Sequence, residues 1–132
     1  MHWEYTKSLD PQSKFGFVYR ITNKKTKKAY IGCKQYIVTR NGKKVESNWK
    51  SYTGSNKLLN EDISKIGKKH FRFQIISEHK NKRSLRYYEC YYQMIYHVLT
   101  STLEGTDEPA YYNNYVGGKY YRPVEEFTGE GY

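Results

Sequence analysis

The sequence predicts an α+β domain in which short strands and two helices alternate along the chain. Two observations predict this fold class. Residues 15–33 contain two runs rich in β-branched and aromatic residues around a polar tetrapeptide, a pattern typical of a β-hairpin. Further along, two segments with apolar residues at helical spacing enclose an alternating segment that is typical of a third strand. At 132 residues, the chain is long enough for one domain with a single modest core.

The hairpin in residues 15–33 is the first element of the predicted fold. If Asn23–Thr26 forms its loop, Tyr19 pairs with Tyr30 across the two strands. Directly opposed residues point to the same side of a two-stranded ribbon. We therefore expect the phenol groups of Tyr19 and Tyr30 to stand together on one face. The other face should carry an aliphatic strip of Val18, Ala29 and Ile31.

Polar segments flank the hairpin on both sides. Residues 1–14 mix polar and aromatic side chains, so we predict an N-terminal arm that packs Trp3 and Tyr5 onto the domain. After the hairpin, the turn signal Asn41-Gly42 between short β-prone runs predicts a second small ribbon or an ordered loop. The cations of this region either contact phosphate groups or form an ordinary solvated surface; they are Lys34, Arg40, Lys43 and Lys44.

The first helix is predicted to have Ser55 as its N-cap and to end at Gly67. Its apolar positions follow the helical period and are Leu59, Ile63 and Ile66. Lys57 lies in the first turn, where a cation opposes the helix dipole. Together with the free N–H groups of the helix start, this lysine either forms a phosphate-binding site or is simply an exposed residue.

The third strand and the second helix follow. The segment His70–Ile76 alternates and is predicted to bury one face, which consists of Phe71, Phe73 and Ile75. The second helix is predicted from Ser84 to about Thr100. Its apolar stripe consists of Leu85, Tyr88, Tyr92, Ile95 and Leu99.

Glu89 borders the inward face of the second helix, where an unpaired carboxylate is unfavourable. Two interpretations are open. The carboxylate forms an ion pair with Arg86 or Lys82. Alternatively, it holds a divalent ion such as Mg²⁺, which takes one or two carboxylates and leaves its other positions to water and phosphate.

The charge balance favours a polyanionic partner. The chain has 23 Lys and Arg residues against 13 Asp and Glu, a net charge of +10, so nucleic acid is the first candidate. A basic protein with another task is the alternative. No apolar run approaches the length of a membrane span and the N-terminus is not a signal peptide, so we expect a cytoplasmic protein, in the host cell if it is phage-encoded. Cys33 and Cys90 lack metal-ligand spacing and are expected to be reduced core thiols.

Several short motifs occur in order along the chain. They are Gly16-Phe17-Val18-Tyr19, then Tyr30-Ile31-Gly32 after ten residues, Tyr52 to Lys57 as Tyr-x-Gly-Ser-x-Lys, Lys65 to Gly67 before Phe71, Glu89 on a helix, and Tyr112-Asn113 to Gly118. In this order they resemble the GIY-YIG nuclease superfamily, in particular its phage- and intron-borne subgroup of homing endonucleases. The resemblance covers residues 15–118, which leaves residues 1–14 as the arm and residues 119–132 as a C-terminal extension.

The resemblance implies a small three-stranded antiparallel sheet flanked by helices. It also implies an endonuclease that hydrolyses DNA phosphodiester bonds with Mg²⁺ or Mn²⁺. Tyr19 would be the general base that takes a proton from the attacking water, and Tyr30 would support the scissile phosphate or its water. Glu89 would be the metal ligand. The expected partner is double-stranded DNA, bound by a monomer or a homodimer without membrane contact.

The remaining site residues follow from the same resemblance. Family members usually carry an arginine on the first helix, where this chain has Leu58–Asp62, so Lys34 and Lys57 are the expected substitutes. Asn113 matches an asparagine that lies near the active site in relatives, with Asn114 as its nearest rival. The residues expected to bind nucleic acid are Arg40, Lys43, Lys44, Lys50, Tyr52 and Ser55. The missing arginine motivates an alternative function, a catalytically inactive nucleic-acid-binding module of the same fold.

Overall fold

The computed structural model describes residues 1–118, 120–123 and 129. Strands and helices alternate as predicted, so the α+β class is confirmed. The strands are β1 (Trp3–Glu4), β2 (Gly16–Asn23), β3 (Ala29–Gln35), β4 (Ile37–Arg40), β5 (Lys43–Glu46), β6 (Phe71–His79), β7 (Tyr115–Val116) and β8 (Tyr120–Tyr121). The helices are α1 (Lys57–Ile66) and α2 (Lys82–Ile95). Of the predicted C-terminal extension, residues 119, 124–128 and 130–132 lie outside the described residues.

The main sheet has four strands in the order β1-β6-β2-β3. The predicted three-stranded antiparallel sheet is therefore wrong in its details, because the N-terminal arm adds β1 parallel to β6. Trp3 drives this addition: its side chain is buried, and its indole Nε1 donates to the Trp49 carbonyl at 2.6 Å. The expected packing of the arm is thus present. The domain boundaries at residues 14 and 118 stay predictions.

The hairpin register differs from the predicted one by two residues. Tyr19 pairs with Gly32, and Tyr30 pairs with Ile21. The turn is longer than predicted because the Asn23 carboxamide accepts bonds from the backbone N–H groups that follow it, and because Lys27 adopts a φ of 72°. A shift of two residues keeps every side chain on its predicted face. Tyr19 and Tyr30 therefore still share one face, with ring centroids 6.1 Å apart.

Apolar side chains cover both faces of the sheet. The face of Tyr19 packs under α1 and holds Trp3, Phe17, Ile21, Trp49, Leu59, Phe71, Phe73 and Ile75. The opposite face packs under α2 and holds Val18, Ile31, Leu85, Val98, Leu99 and Val116. The predicted single core is thus two layers, and the predicted burial of the third strand is confirmed.

The start of α1 differs by one residue from the prediction. The Asn56 side chain, not that of Ser55, caps the helix by accepting from the Leu59 N–H at 2.9 Å. Gly67 ends the helix as predicted, with a φ of 108° that favours glycine. Leu59 is buried, so the predicted apolar face of α1 is confirmed.

The inward stripe of α2 is more polar than predicted. The helix begins after Asn81, whose side chain accepts from the Ser84 N–H, and it ends at Ile95 rather than near Thr100. Leu85 is buried as predicted, but the side chains of Tyr88 and Ile95 are exposed. The buried face instead continues through Glu89 to Gln93, because these residues follow Leu85 at intervals of four.

The predicted second ribbon is confirmed as the hairpin β4–β5. Its turn uses Asn41 and Gly42, with φ angles of 52° and 75°, which is the left-handed geometry that favours this residue pair. Within the described residues, no helix combines the length and the apolar character needed to cross a membrane.

Candidate active site and nucleic-acid interface

A cavity of about 390 Å³ lies at the free edge of β3. The first turn of α1, the inward face of α2 and the chain after Asn113 form its other walls. It brings together five of the predicted site residues, which are Tyr30, Ser55, Lys57, Glu89 and Asn113. These residues come from segments far apart in the sequence, so the cavity is a product of the fold.

The C-terminal segment, residues 110–118, determines which part of the β3 edge has no pairing partner among the described residues. Its backbone pairs with Ala29, whose N–H donates to the Ala110 carbonyl and whose carbonyl accepts from the Tyr112 N–H. At the next outward position, the Asn113 carboxamide replaces the backbone: Oδ1 accepts from the Ile31 N–H at 3.1 Å and Nδ2 donates to the Ile31 carbonyl at 2.9 Å. The pairing ends there, and the following part of the edge, near Cys33, faces the cavity.

Gln93 is a site residue that the sequence reasoning missed. It is buried, its Nε2 donates to the Ile31 carbonyl at 2.9 Å, and its Oε1 accepts from the Gly117 N–H at 2.7 Å. It therefore joins α2, β3 and the C-terminal segment at one point. Its position four residues after Glu89 on the same helix face could have indicated this role.

Glu89 lies at the cavity wall with a side chain that is only 16% exposed. Burial raises the pKa of its carboxyl group above the ordinary value, although Arg86 and a hydrogen bond from the Cys33 thiol counteract the shift. The Arg86 guanidinium lies 3.8 Å away at Nε, so the predicted ion pair exists but is long. Burial also raises the pKa of the Cys33 thiol to about 12.

Tyr19 does not line the cavity, although it packs near Tyr30, which does. The side chain is 1% exposed, and a Cβ added to Gly32 would lie 2.5 Å from its Oη, so glycine is needed at that position. The rings of Tyr30 and Tyr52 are each 6.1 Å from its ring. Burial raises the pKa of the Tyr19 phenol well above its ordinary value, and neighbouring tyrosines add to the effect.

Tyr30 lines the cavity, and its ring also packs near the Tyr19 ring. Its Oη lies 3.4 Å from Ser55 Oγ at the start of α1. Burial raises the pKa of the Tyr30 phenol to about 12. Both phenols are therefore protonated in the free protein at neutral pH.

The two predicted cationic substitutes occupy different places. Lys57 lines the cavity from the first turn of α1. Lys34 lies outside the cavity, with Nζ 4.1 Å above the centre of the Tyr52 ring, and burial lowers the pKa of its amine. Arg86, which the sequence analysis considered only as an ion-pair partner, also lines the cavity and is exposed.

A second cavity of about 480 Å³ lies next to the β4–β5 ribbon. Among the predicted nucleic-acid-binding residues, Lys44 and Lys50 line it, and Lys50 also pairs with Glu46 at 3.5 Å. Lys14 and Lys80, which the sequence reasoning missed, line it as well. Arg40 and Lys43 are exposed at the tip of the ribbon.

The donor set of the first cavity fits a hard divalent ion held by one protein carboxylate. Across residues 1–118, 120–123 and 129, no group of three or more His, Cys, Asp or Glu residues could hold a metal ion. Glu89 alone would leave most coordination positions to water and phosphate, which is the coordination that Mg²⁺ prefers. A cation there would also favour the ionised form of this buried carboxyl group.

A family model described as "Putative endonuclease segE, GIY-YIG domain" matches residues 2–116. The match spans the hairpin, both helices and the edge pairing of Asn113. Comparison with curated proteins gave no match, and comparison with solved structures gave none either.

Proposed function

Because the chain belongs to the GIY-YIG endonuclease family, its substrate is a nucleic acid, and we propose that it is a Mg²⁺-dependent endonuclease that hydrolyses the phosphodiester bonds of double-stranded DNA. One observation carries this proposal. One largely enclosed carboxylate, Glu89, shares a small cavity with two cations and with Tyr30, whose ring lies 6.1 Å from that of Tyr19. This combination provides a place for a metal ion and a phosphate side by side.

Tyr19 is the proposed general base, and its raised pKa limits when it can act. A base must be deprotonated to take the proton of the attacking water, yet burial holds the phenol neutral in the free protein. Positive charge that arrives with the substrate complex would lower the pKa of this phenol. The proton transfer is therefore coupled to assembly of the complex, and Tyr30 would orient the water or the phosphate at the cavity wall.

Glu89 would hold Mg²⁺, which supplies Lewis-acid chemistry at the phosphate when it is bound. Lys57 and Arg86 would bind the non-bridging oxygens of the phosphate and stabilise the charge that develops in the transition state. Arg86 thus offers from α2 the guanidinium group that relatives carry on their first helix. Asn113 and Gln93 would hold the edge of β3 in position.

A second candidate function is a catalytically inactive module that binds nucleic acid. The nearly complete burial of Tyr19 and the absence of an arginine from α1, which the structure describes completely, favour this alternative. Both candidates predict DNA binding that weakens with salt. They differ only in whether a product forms.

Nicking of supercoiled plasmid DNA in Mg²⁺ tests the proposed function. We expect the wild-type protein to cleave, and Glu89→Gln and Tyr19→Phe to lose activity by about 100-fold or more, because each removes one catalytic function. Glu104→Gln is the matched control, since Glu104 lies exposed in a loop after α2.

Equal activity of the wild type and both site variants would contradict the assigned roles. DNA binding without any product, in Mn²⁺ as well as in Mg²⁺, would replace the proposed function by the inactive module.

A further inference from the structure

A second groove adjoins the active-site cavity on the side away from the β4–β5 ribbon. It has a volume of about 380 Å³, and it shares Asn113 and Asn114 with the cavity. We define it as the tail groove, lined by Lys28, Leu58, Tyr111, Asn114, Tyr121 and Arg122. A molecule that fills the cavity can therefore continue into the groove without leaving the protein surface.

The chemistry of the tail groove fits a polyanion. Its described lining residues include Lys28 and Arg122 and no acidic residue. Tyr121 is 64% exposed, so its ring is accessible to a bound molecule. Cations beside exposed aromatic rings are typical of surfaces that follow a sugar–phosphate backbone.

The groove is held in place by contacts of its own. Lys28 lies in the turn directly before β3, and its Nζ is 5.4 Å from the centre of the Tyr112 ring. Tyr121 belongs to β8 and is paired with Tyr115 of β7, and Arg122 follows directly. These contacts already restrict the conformations of the groove side chains. Binding therefore costs less conformational entropy than it would with freely moving side chains.

From these observations we propose that the tail groove binds the sugar–phosphate backbone of the DNA strand directly beyond the scissile phosphate. The inference rests on the proposed function, because the groove is identified as a continuation of the active-site cavity. Lys28 and Arg122 contact the phosphates, and Tyr121 packs against a sugar. Such contacts position the strand and carry no sequence information.

The salt dependence of DNA binding tests this inference. Binding of a short labelled duplex is measured without divalent ions, so that the DNA stays intact. Each phosphate contact contributes about 0.9 to the slope of log K against log salt concentration. We expect Lys28→Ala/Arg122→Ala to make this slope shallower by about 1.8, and the exposed single variant Arg122→Ala to make it shallower by about 0.9.

The control is Lys7→Ala/Lys69→Ala, which removes the same charge at exposed residues on the side of β1, the opposite edge of the sheet. Its slope should equal that of the wild type, and thermal melting should confirm that all variants fold. A groove variant with the wild-type slope would overturn the inference. If that protein still cleaves plasmid DNA, the proposed function stands; if the slope changes but no cleavage occurs, the groove stands and the catalytic proposal fails.

Discussion

The Glu89 carboxyl group is largely enclosed, and its pKa is raised mainly by burial. A carboxyl group with a higher pKa in the folded state binds its proton more tightly there than in the unfolded chain. The free energy of unfolding therefore decreases as the pH rises from 4.5, the ordinary pKa of the group, through its higher pKa in the folded state. The proposed metal ligand is therefore kept at the expense of stability.

We expect Glu89→Gln to melt at a higher temperature than the wild type at pH 7 without metal, because glutamine has no ionised form to disfavour folding. The difference should shrink as the pH is lowered towards 4.5. Mg²⁺ should raise the melting temperature of the wild type only, since the variant lacks the ligand. Differential scanning calorimetry across this pH range measures all three effects.

The control for this prediction is Glu104→Gln, whose exposed side chain should give no pH-dependent difference from the wild type. A Glu89→Gln variant that is less stable than the wild type at pH 7 would show that Arg86 satisfies the carboxylate without a metal ion.

Single residues differed in how well the sequence predicted them. Tyr30, Lys57 and Glu89 are marked by short motifs in the sequence, and in the structure all three line one cavity. Gln93 was missed because the predicted stripe of α2 followed apolar residues only, whereas the buried face is partly polar and satisfied by hydrogen bonds. The position of Arg86 at the cavity depends on how α2 lies against β3, which no motif encodes.

At the scale of elements, the pairing of the C-terminal segment with β3 holds the site open at one defined place. Asn113 is the last residue of the segment that pairs with β3. Its Oδ1 accepts from the Ile31 N–H, and its Nδ2 donates to the Ile31 carbonyl. The side chain is 4% exposed, so water cannot replace these bonds. Loss of the bond from the Ile31 N–H would leave a buried backbone donor without a partner, whereas the Ile31 carbonyl would keep its bond from Gln93 Nε2.

We expect Asn113→Asp to lower the free energy of unfolding by about 1–3 kcal/mol, because the carboxylate cannot donate to the Ile31 carbonyl and would place a desolvated negative charge beside it. Asn114→Asp makes the same chemical change at the exposed neighbour and should stay within about 0.5 kcal/mol of the wild type. Urea denaturation of both variants gives the comparison. Equal effects at the two positions would mean that the Asn113 bonds to Ile31 contribute nothing to stability.

The element that the sequence predicted least well is β1. A strand of two residues has no periodicity to recognise, and its partner strand lies about 70 residues away in the chain. Its one visible signal was Trp3, a large apolar side chain in a polar segment. The hairpin register was missed for a local reason, since the left-handed backbone of Lys27 lengthens the turn.

At the scale of the whole molecule, the edge of β3 is where distant parts of the chain meet. The order of motifs along the sequence indicated that Tyr30, Glu89 and Asn113 belong to one family site. Only the fold shows why they converge: α2 covers one face of the sheet, α1 covers the other, and the C-terminal segment follows the edge between them. The cavity next to the β4–β5 ribbon and the tail groove both contain lysine or arginine side chains.

The central claim is that this convergence creates a metal site at Glu89. Anomalous diffraction from crystals soaked in Mn²⁺ tests it most directly, because the peak locates the ion independently of any activity. The account predicts a peak about 2.1 Å from a Glu89 carboxylate oxygen, on the side that faces Tyr30 and Lys57. An ordered Mn²⁺ elsewhere in the protein, with no peak at Glu89, would contradict it.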